Sequence, residues 1–153
     1  MLFRDGRGVS VATCWFLLQF AFDGTDFFLI RYLHDTGRAG LMRPVTAVQY
    51  GFKIVGGLLG AALVDRVGRR WLLVPAFSVA AAATVAFTLA DSSITLLLTA
   101  TAMYYLAVEI VWGTLMTFTV ELFPTAVRAT AIGSAQAIGS LGSSITFFVN
   151  PLL

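Results

Sequence analysis

The chain has 153 residues, 58% of them hydrophobic and only 12% charged, with a mean hydropathy of +0.86. A soluble domain carries about 25% charged residues, so an ordinary water-facing surface is excluded and lipid is the expected solvent. A net charge of +2 is too small to suggest nucleic acid; the lone Cys14 and lone His34 exclude an internal disulfide and any cysteine- or histidine-based metal site, and no cofactor is expected.

Five apolar stretches follow in chain order, over about 9–33, 44–64, 71–90, 94–120 and 125–150. Each reaches the ~20 residues that cross ~30 Å of hydrocarbon at ~1.5 Å per residue. A helix satisfies its own backbone hydrogen bonds in lipid, so each should be helical, and the longer fourth should tilt or kink. The expected fold is an all-α membrane protein of five transmembrane helices, forming one transmembrane domain over residues 1–153. Arg4 and Arg7 precede the first stretch, but no small-residue cleavage site follows a short apolar core. It therefore reads as a crossing and not as a cleaved leader.

Arginine placement sets the expected orientation. With the N-terminus in the cytoplasm, inner segments hold Arg4, Arg7, Arg66, Arg69, Arg70 and Arg128, and outer ones hold Arg31, Arg38 and Arg43. Six against three favours that orientation, with the C-terminus outside. Connections are short, so neighbouring helices should form antiparallel hairpins. The chain stops at Asn150-Pro151-Leu152-Leu153, as if at the end of a crossing, and reads as an unfinished bundle.

Two inner loops place charges against their own helix dipoles. Asp65 falls at the negative end of the second helix, and Arg69 and Arg70 at the positive end of the third. Glu121 ends the fourth helix, Pro124 stops it, Thr125 is the expected N-cap of the fifth, and Arg128 falls in the fifth helix's first turn. Each misplacement costs up to ~1 kcal/mol. Cross-pairing of Asp65 with Arg128, and of Glu121 with Arg69 or Arg70, would correct both faults and clamp the two hairpins. The alternative is a set of solvated interfacial charges worth little.

These loops resemble a known family. Asp65-Arg66-Val67-Gly68-Arg69-Arg70 is similar to the D-R-x-G-R-R loop of the major facilitator superfamily, and Glu121-Leu122-Phe123-Pro124-Thr125-Ala126-Val127-Arg128 to the E-x-F-P-T-x-x-R motif of its sugar-porter-like and metabolite–proton symporter branches. The motifs lie two helices apart, as the family requires. The resemblance implies the carboxy-terminal half of such a carrier, helices seven to eleven of twelve: a partial half-bundle that needs a complementary amino-terminal half. It also implies that Asp65, Arg66, Gly68, Arg69, Arg70, Glu121, Pro124 and Arg128 form a cytoplasmic gating motif. Ala61 stands where the family usually has glycine, and the sugar porters' proline-and-tryptophan run is absent from Leu106 to Val120. The resemblance is closer to carriers of small organic acids, vitamins or related metabolites.

Four ionisable residues fall inside the crossings: Asp23, Asp26, Lys53 and Glu109. Each costs ~2.5–3.5 kcal/mol or more at the centre of a lipid-facing helix, so they should face a wet interior. By helical rise Asp23 and Lys53 lie ~14 Å, and Glu109 ~17 Å, from a membrane face, which puts three charges at one level. Carriers with repeated halves bind substrate and coupling ions at that level. Lys53 can pair with Asp23 or Glu109, and a carboxylate left without a partner could take up a proton. A static ion pair holding helices in register is the structural alternative. Gln49 shares a face with Lys53, and Tyr105 and Trp112 share one with Glu109, as a cavity wall or as core packing. Gly56 and Gly60, and a stripe at Gly133, Ala137 and Ser140 or Leu141 beside Gly139, Gly142, Ser143 and Ser144, read as helix-packing contacts.

No H-E-x-x-H, G-x-S-x-G or phosphate-binding loop occurs, so an enzyme is not expected. The expectation is secondary transport of a small polar or charged metabolite, coupled to protons, across the plasma (inner) membrane. A truncated or regulatory membrane subunit that needs a complementary half is the alternative.

Overall fold

A computed structural model describes residues 6–89 and 93–149. Every regular element among them is helical: α1 (Arg7–Asp35), a 3-10 turn (Ala39–Leu41), α2 (Met42–Val67), α3 (Arg69–Thr88), α4 (Ile94–Leu122) and α5 (Arg128–Val149). These are the five expected stretches, with ends moved by three residues or fewer where they can be compared. Arg4, Ala90 and Asn150 to Leu153 lie outside the described residues.

The segments Ala39–Val67, Arg69–Phe87, Ile94–Leu122 and Arg128–Val149 are long and apolar enough to cross a membrane. The fifth long helix, α1, has 29 residues but falls short in apolarity, because Gln19, Asp23, Thr25 and Asp26 interrupt its run. Composition therefore supports four crossings where five were expected.

The chain divides into two compact units, one of Met1–Asp35 with Met116–Leu153 and one of Thr36–Leu115. In the first, α5 packs along α1 through Ala131, Ala135, Gly139, Gly142 and Thr146, a single face at helical spacing. The approach is close at both glycines, to backbone at Gly142 and to a side chain at Gly139. A Cβ on Gly142 would lie 2.6 Å from the Phe16 carbonyl oxygen, and one on Gly139 would lie 2.8 Å from Gln19 Cδ. Thr146 shares its hydroxyl proton between the Phe20 carbonyl of α1 at 3.1 Å and the Gly142 carbonyl of its own helix at 3.2 Å. Of the small residues expected to pack, Gly139 and Gly142 do, whereas the stripe at Gly133, Ala137 and Ser140 or Leu141 is exposed. Alpha-helix α5 carries small residues on two faces, and the helices meet on the face where Gly139 and Gly142 remove the most bulk. Trp15 is fully buried in this unit, and its indole Nε1–H donates to the Thr119 hydroxyl at 3.0 Å.

In the second unit Gly56 and Gly60 seat α2 against α4. A Cβ on Gly56 would meet the Leu106 carbonyl oxygen at 2.6 Å and Glu109 Cβ at 3.0 Å; one on Gly60 would lie 3.3 Å from Ile110 Cα. Where no hydrophobic force drives helices together in lipid, such close approach gains dispersion energy along the whole contact. Buried hydroxyls stay satisfied within the helix: Thr101 donates to the Leu97 carbonyl at 2.8 Å and Thr114 to the Ile110 carbonyl at 2.7 Å.

Candidate functional site

The mid-helix charges come first. Lys53 sits ~16 Å along α2 from Met42, and Glu109 ~22 Å along α4 from Ile94, each near its helix's middle. The Lys53 Nζ lies 4.9 Å from the Tyr105 ring centroid and 5.4 Å from that of Tyr50, both within cation–π range. Tyr105 is fully buried and held edge-on by Tyr104 at 5.2 Å, which in turn meets Phe87 at 5.8 Å. The ring under the ammonium is thus fixed by an aromatic row reaching α3.

Glu109 leaves α4 opposite Gly56, one turn along α2 from Lys53, so the two charged residues belong to one α2–α4 contact. Gln49, one turn on the other side of Lys53, is half-buried, as is Trp112. The structure therefore brings Lys53, Tyr105 and Glu109 to one α2–α4 contact, with Gln49 one turn from Lys53 on α2. Of the two readings of Tyr105, core packing is the one its burial fits, and it meets Lys53 from the core side. Sequence reasoning missed Tyr50. Its spacing of three residues from Lys53 on one helix was the available signal.

Asp23 and Asp26 belong to the other unit. Both are half-buried on α1 and bracket Gly24, where a Cβ would lie 3.5 Å from Thr146 Cγ2 of α5. The i, i+3 spacing keeps both carboxylates on one stretch of helix.

The loop residues are arranged more locally than their spacing suggested. Gly68 joins α2 to α3 at φ +87° and ψ 146°, a conformation essentially reserved for glycine. That turn folds Arg69 back over the end of α2. Its Nη1 donates to the Val64 carbonyl at 3.3 Å, and its Nη2 lies 3.5 Å from the Asp65 carboxylate. A cation thus sits at the negative end of α2 and relieves the Asp65 misplacement from within the hairpin. Arg66 and Arg70 are exposed.

In the second loop Pro124 opens a turn closed by the Val127 N–H on the Pro124 carbonyl at 3.0 Å. Thr125 lies in that turn and is not the helix cap; α5 starts at Arg128. Arg128 is in the first turn as expected, with its Nε buried and lacking a hydrogen-bond partner. Glu121, in the last turn of α4, is exposed. Among the described residues no group of three or more histidine, cysteine or acidic side chains could hold a metal ion.

Four apolar helices of membrane-crossing length, packed through glycine and with the buried Thr101 and Thr114 hydroxyls turned onto carbonyls of their own helix, define an integral, multi-pass membrane protein. The chain belongs to the Major Facilitator Superfamily, whose pattern matches residues 6–153. It is 30% identical over 135 residues to a Bacillus subtilis (strain 168) protein named for niacin/nicotinamide transport, NiaP, covering 88% of this chain and 34% of that protein. It is 31% identical over 157 residues to the cis,cis-muconate transport protein of Acinetobacter baylyi, covering 95% of this chain and 36% of that protein. A chloroplastic anion transporter of Oryza sativa subsp. japonica is 33% identical over 101 residues, 65% of this chain. These relatives are named as transporters and not as enzymes. The chain spans about a third of the length of the first two. No solved structure gives a significant match.

Proposed function

We propose that the chain forms part of a secondary active transporter that carries a small polar or charged organic metabolite across the plasma membrane by alternating access, coupled to protons. Its helices correspond to the seventh to eleventh of a twelve-helix carrier, and a complementary amino-terminal half supplies the opposite wall of the cavity. In this reading α1 is a fifth crossing. The N-terminus is cytoplasmic, and the polar interruptions that lower α1's apolarity face the cavity and not lipid.

The observation that carries the proposal is the placement of Lys53 and Glu109, one turn apart on facing helices, in the middle of two membrane-length segments. Ionised groups there are expensive, and a family of carriers is where they have work to do. Asp23, Asp26 and Glu109 are the proton acceptors; Gln49, Lys53, Tyr105 and Trp112 line or support the substrate site. Asp65, Arg66, Gly68, Arg69, Arg70, Glu121, Pro124 and Arg128 serve as the cytoplasmic gating motif. Three relatives named for transport of niacin or nicotinamide, cis,cis-muconate and anions support the substrate class.

The test is uptake into proteoliposomes under an imposed pH gradient, with the chain alone and with a complementary half. Gradient-driven uptake that Asp23→Asn and Glu109→Gln abolish without loss of folded protein supports the reading. Uptake indifferent to the gradient removes proton coupling, and uptake in neither arrangement favours a regulatory subunit.

A further inference from the structure

A groove of about 310 Å³ runs along the seam between α1 and α5. Val9, Ala12, Thr13 and Phe16 of α1 and Ile138 of α5 line it. Thr13 is the one polar residue in that lining, and its hydroxyl already donates to the Val9 carbonyl at 2.9 Å. A polar metabolite would leave its own groups unpaired there. Val9 is 52% exposed and Thr13 is exposed too, so the groove is open to the surroundings. From Val9 to Phe16 it rises ~10 Å along α1. Spread over that rise, its volume gives a cross-section of about 30 Å², too narrow for a helix ~10 Å across and wide enough for a hydrocarbon chain.

A cation stands at the near end of this groove. The two helices run in parallel: Gly8 and Ala131 line one small cleft, and farther along Phe16 opposes Gly142 and Phe20 opposes Thr146. Arg128 comes one turn before Ala131, which places it about one turn before Val9, where the groove begins. Arg128 is half-buried, and its Nε is buried without a hydrogen-bond partner. Among the described residues it takes part in no ion pair. Arg128 also opens α5, where the helix dipole adds to the positive potential. An unpartnered guanidinium one turn from an open apolar slot complements a molecule that is anionic at one end and hydrocarbon beyond it.

We infer that the α1–α5 seam is a binding site for an anionic phospholipid, its phosphate held by Arg128 and one acyl chain laid along Val9, Thr13, Phe16 and Ile138. The inference rests on the part of the reading above that makes α1 a crossing beside α5, and it does not require transport.

The test is native mass spectrometry of the full chain released from nanodiscs of equal parts phosphatidylglycerol and phosphatidylethanolamine with matched acyl chains. The chain is expected to retain phosphatidylglycerol with a preference of about fivefold, the worth of one basic residue near an anionic surface. Arg128→Gln is expected to remove that preference, and Arg128→Lys to keep part of it. Val9→Trp, which fills the near end of the groove from an exposed position, is expected to lower retention of both lipids. Ile138→Trp fills the groove from α5 and is expected to do the same. Equal retention of the two lipids, a preference unchanged in Arg128→Gln, or retention unchanged in both tryptophan variants overturns the inference. Release of the lipid when a complementary carrier half is added assigns the groove to that half and also overturns it. So does preferential retention of palmitate at equal concentration, which assigns the groove to a free fatty acid. Selective retention by a chain that transports nothing leaves the inference standing and removes the transport reading. Gradient-driven uptake by a chain indifferent to phosphatidylglycerol does the reverse.

Discussion

The indole N–H of Trp15 on α1 donates to the Thr119 hydroxyl near the end of α4 at 3.0 Å, and both side chains are sealed from the surroundings. The two partners are not equivalent. A threonine hydroxyl in a helix can turn to the carbonyl one turn back, as Thr101 and Thr114 do. The indole N–H has no such local outlet. Thr119→Val should therefore destabilise by ~1–3 kcal/mol, the cost of an unsatisfied buried donor. A double-mutant cycle with Trp15→Phe, read by thermal melts in detergent, should give a coupling of about 0.5–1.5 kcal/mol. Additive effects would show that the bond contributes nothing to the α1–α4 contact.

Gly56→Ala should separate two helices. The new Cβ would stand 2.6 Å from a backbone oxygen that cannot swing aside. A cost of ~1–3 kcal/mol is expected from overpacking, seen as a lower melting temperature and a lower monodisperse yield. Gly57→Ala is the control, because a Cβ there meets nothing within 4 Å. Equal behaviour of the two variants would contradict the packing described.

The α2–α3 loop separates stability from function. Asp65 is 80% exposed, and its pair with Arg69 is worth ~0–1 kcal/mol after solvent screening. Asp65→Asn should leave the melting curve almost unmoved. If uptake nevertheless falls severalfold, Asp65 acts in the moving cycle and not in the resting fold. Gly68→Ala should destabilise by ~1–3 kcal/mol, since an L side chain at φ +87° is strained.

Topology can be checked without a substrate. In a background lacking Cys14, a cysteine at Thr36, just after α1, should react with a membrane-impermeant maleimide from outside the cell. A cysteine at Val67, at the end of α2, should react only after permeabilisation. Labelling of both from one side would place α2 outside the set of crossings, and the reverse pattern would overturn the proposed orientation.

Much of this was legible in the residues. Apolar run lengths located all five helices, because in lipid a run of that length has no other way to satisfy its backbone. The loop motifs carried the family, and Arg128 fell in the first turn of α5. What escaped depends on partners that spacing cannot name. The choice between two small-residue faces of α5 was decided by Phe16 and Gln19, which belong to a helix more than a hundred residues away. The turn at Pro124 moved the start of α5 beyond Thr125. The local answer to Asp65 needed the Gly68 dihedral, which returns Arg69 to the helix it has just left.

That returning arginine ties the joint between α2 and α3 to the helix it leaves. The tie is a carbonyl contact at 3.3 Å and a solvent-screened carboxylate contact at 3.5 Å, so it orients the elbow without locking it. A hairpin fastened this lightly is free to release Arg69 to another acceptor without unwinding either helix.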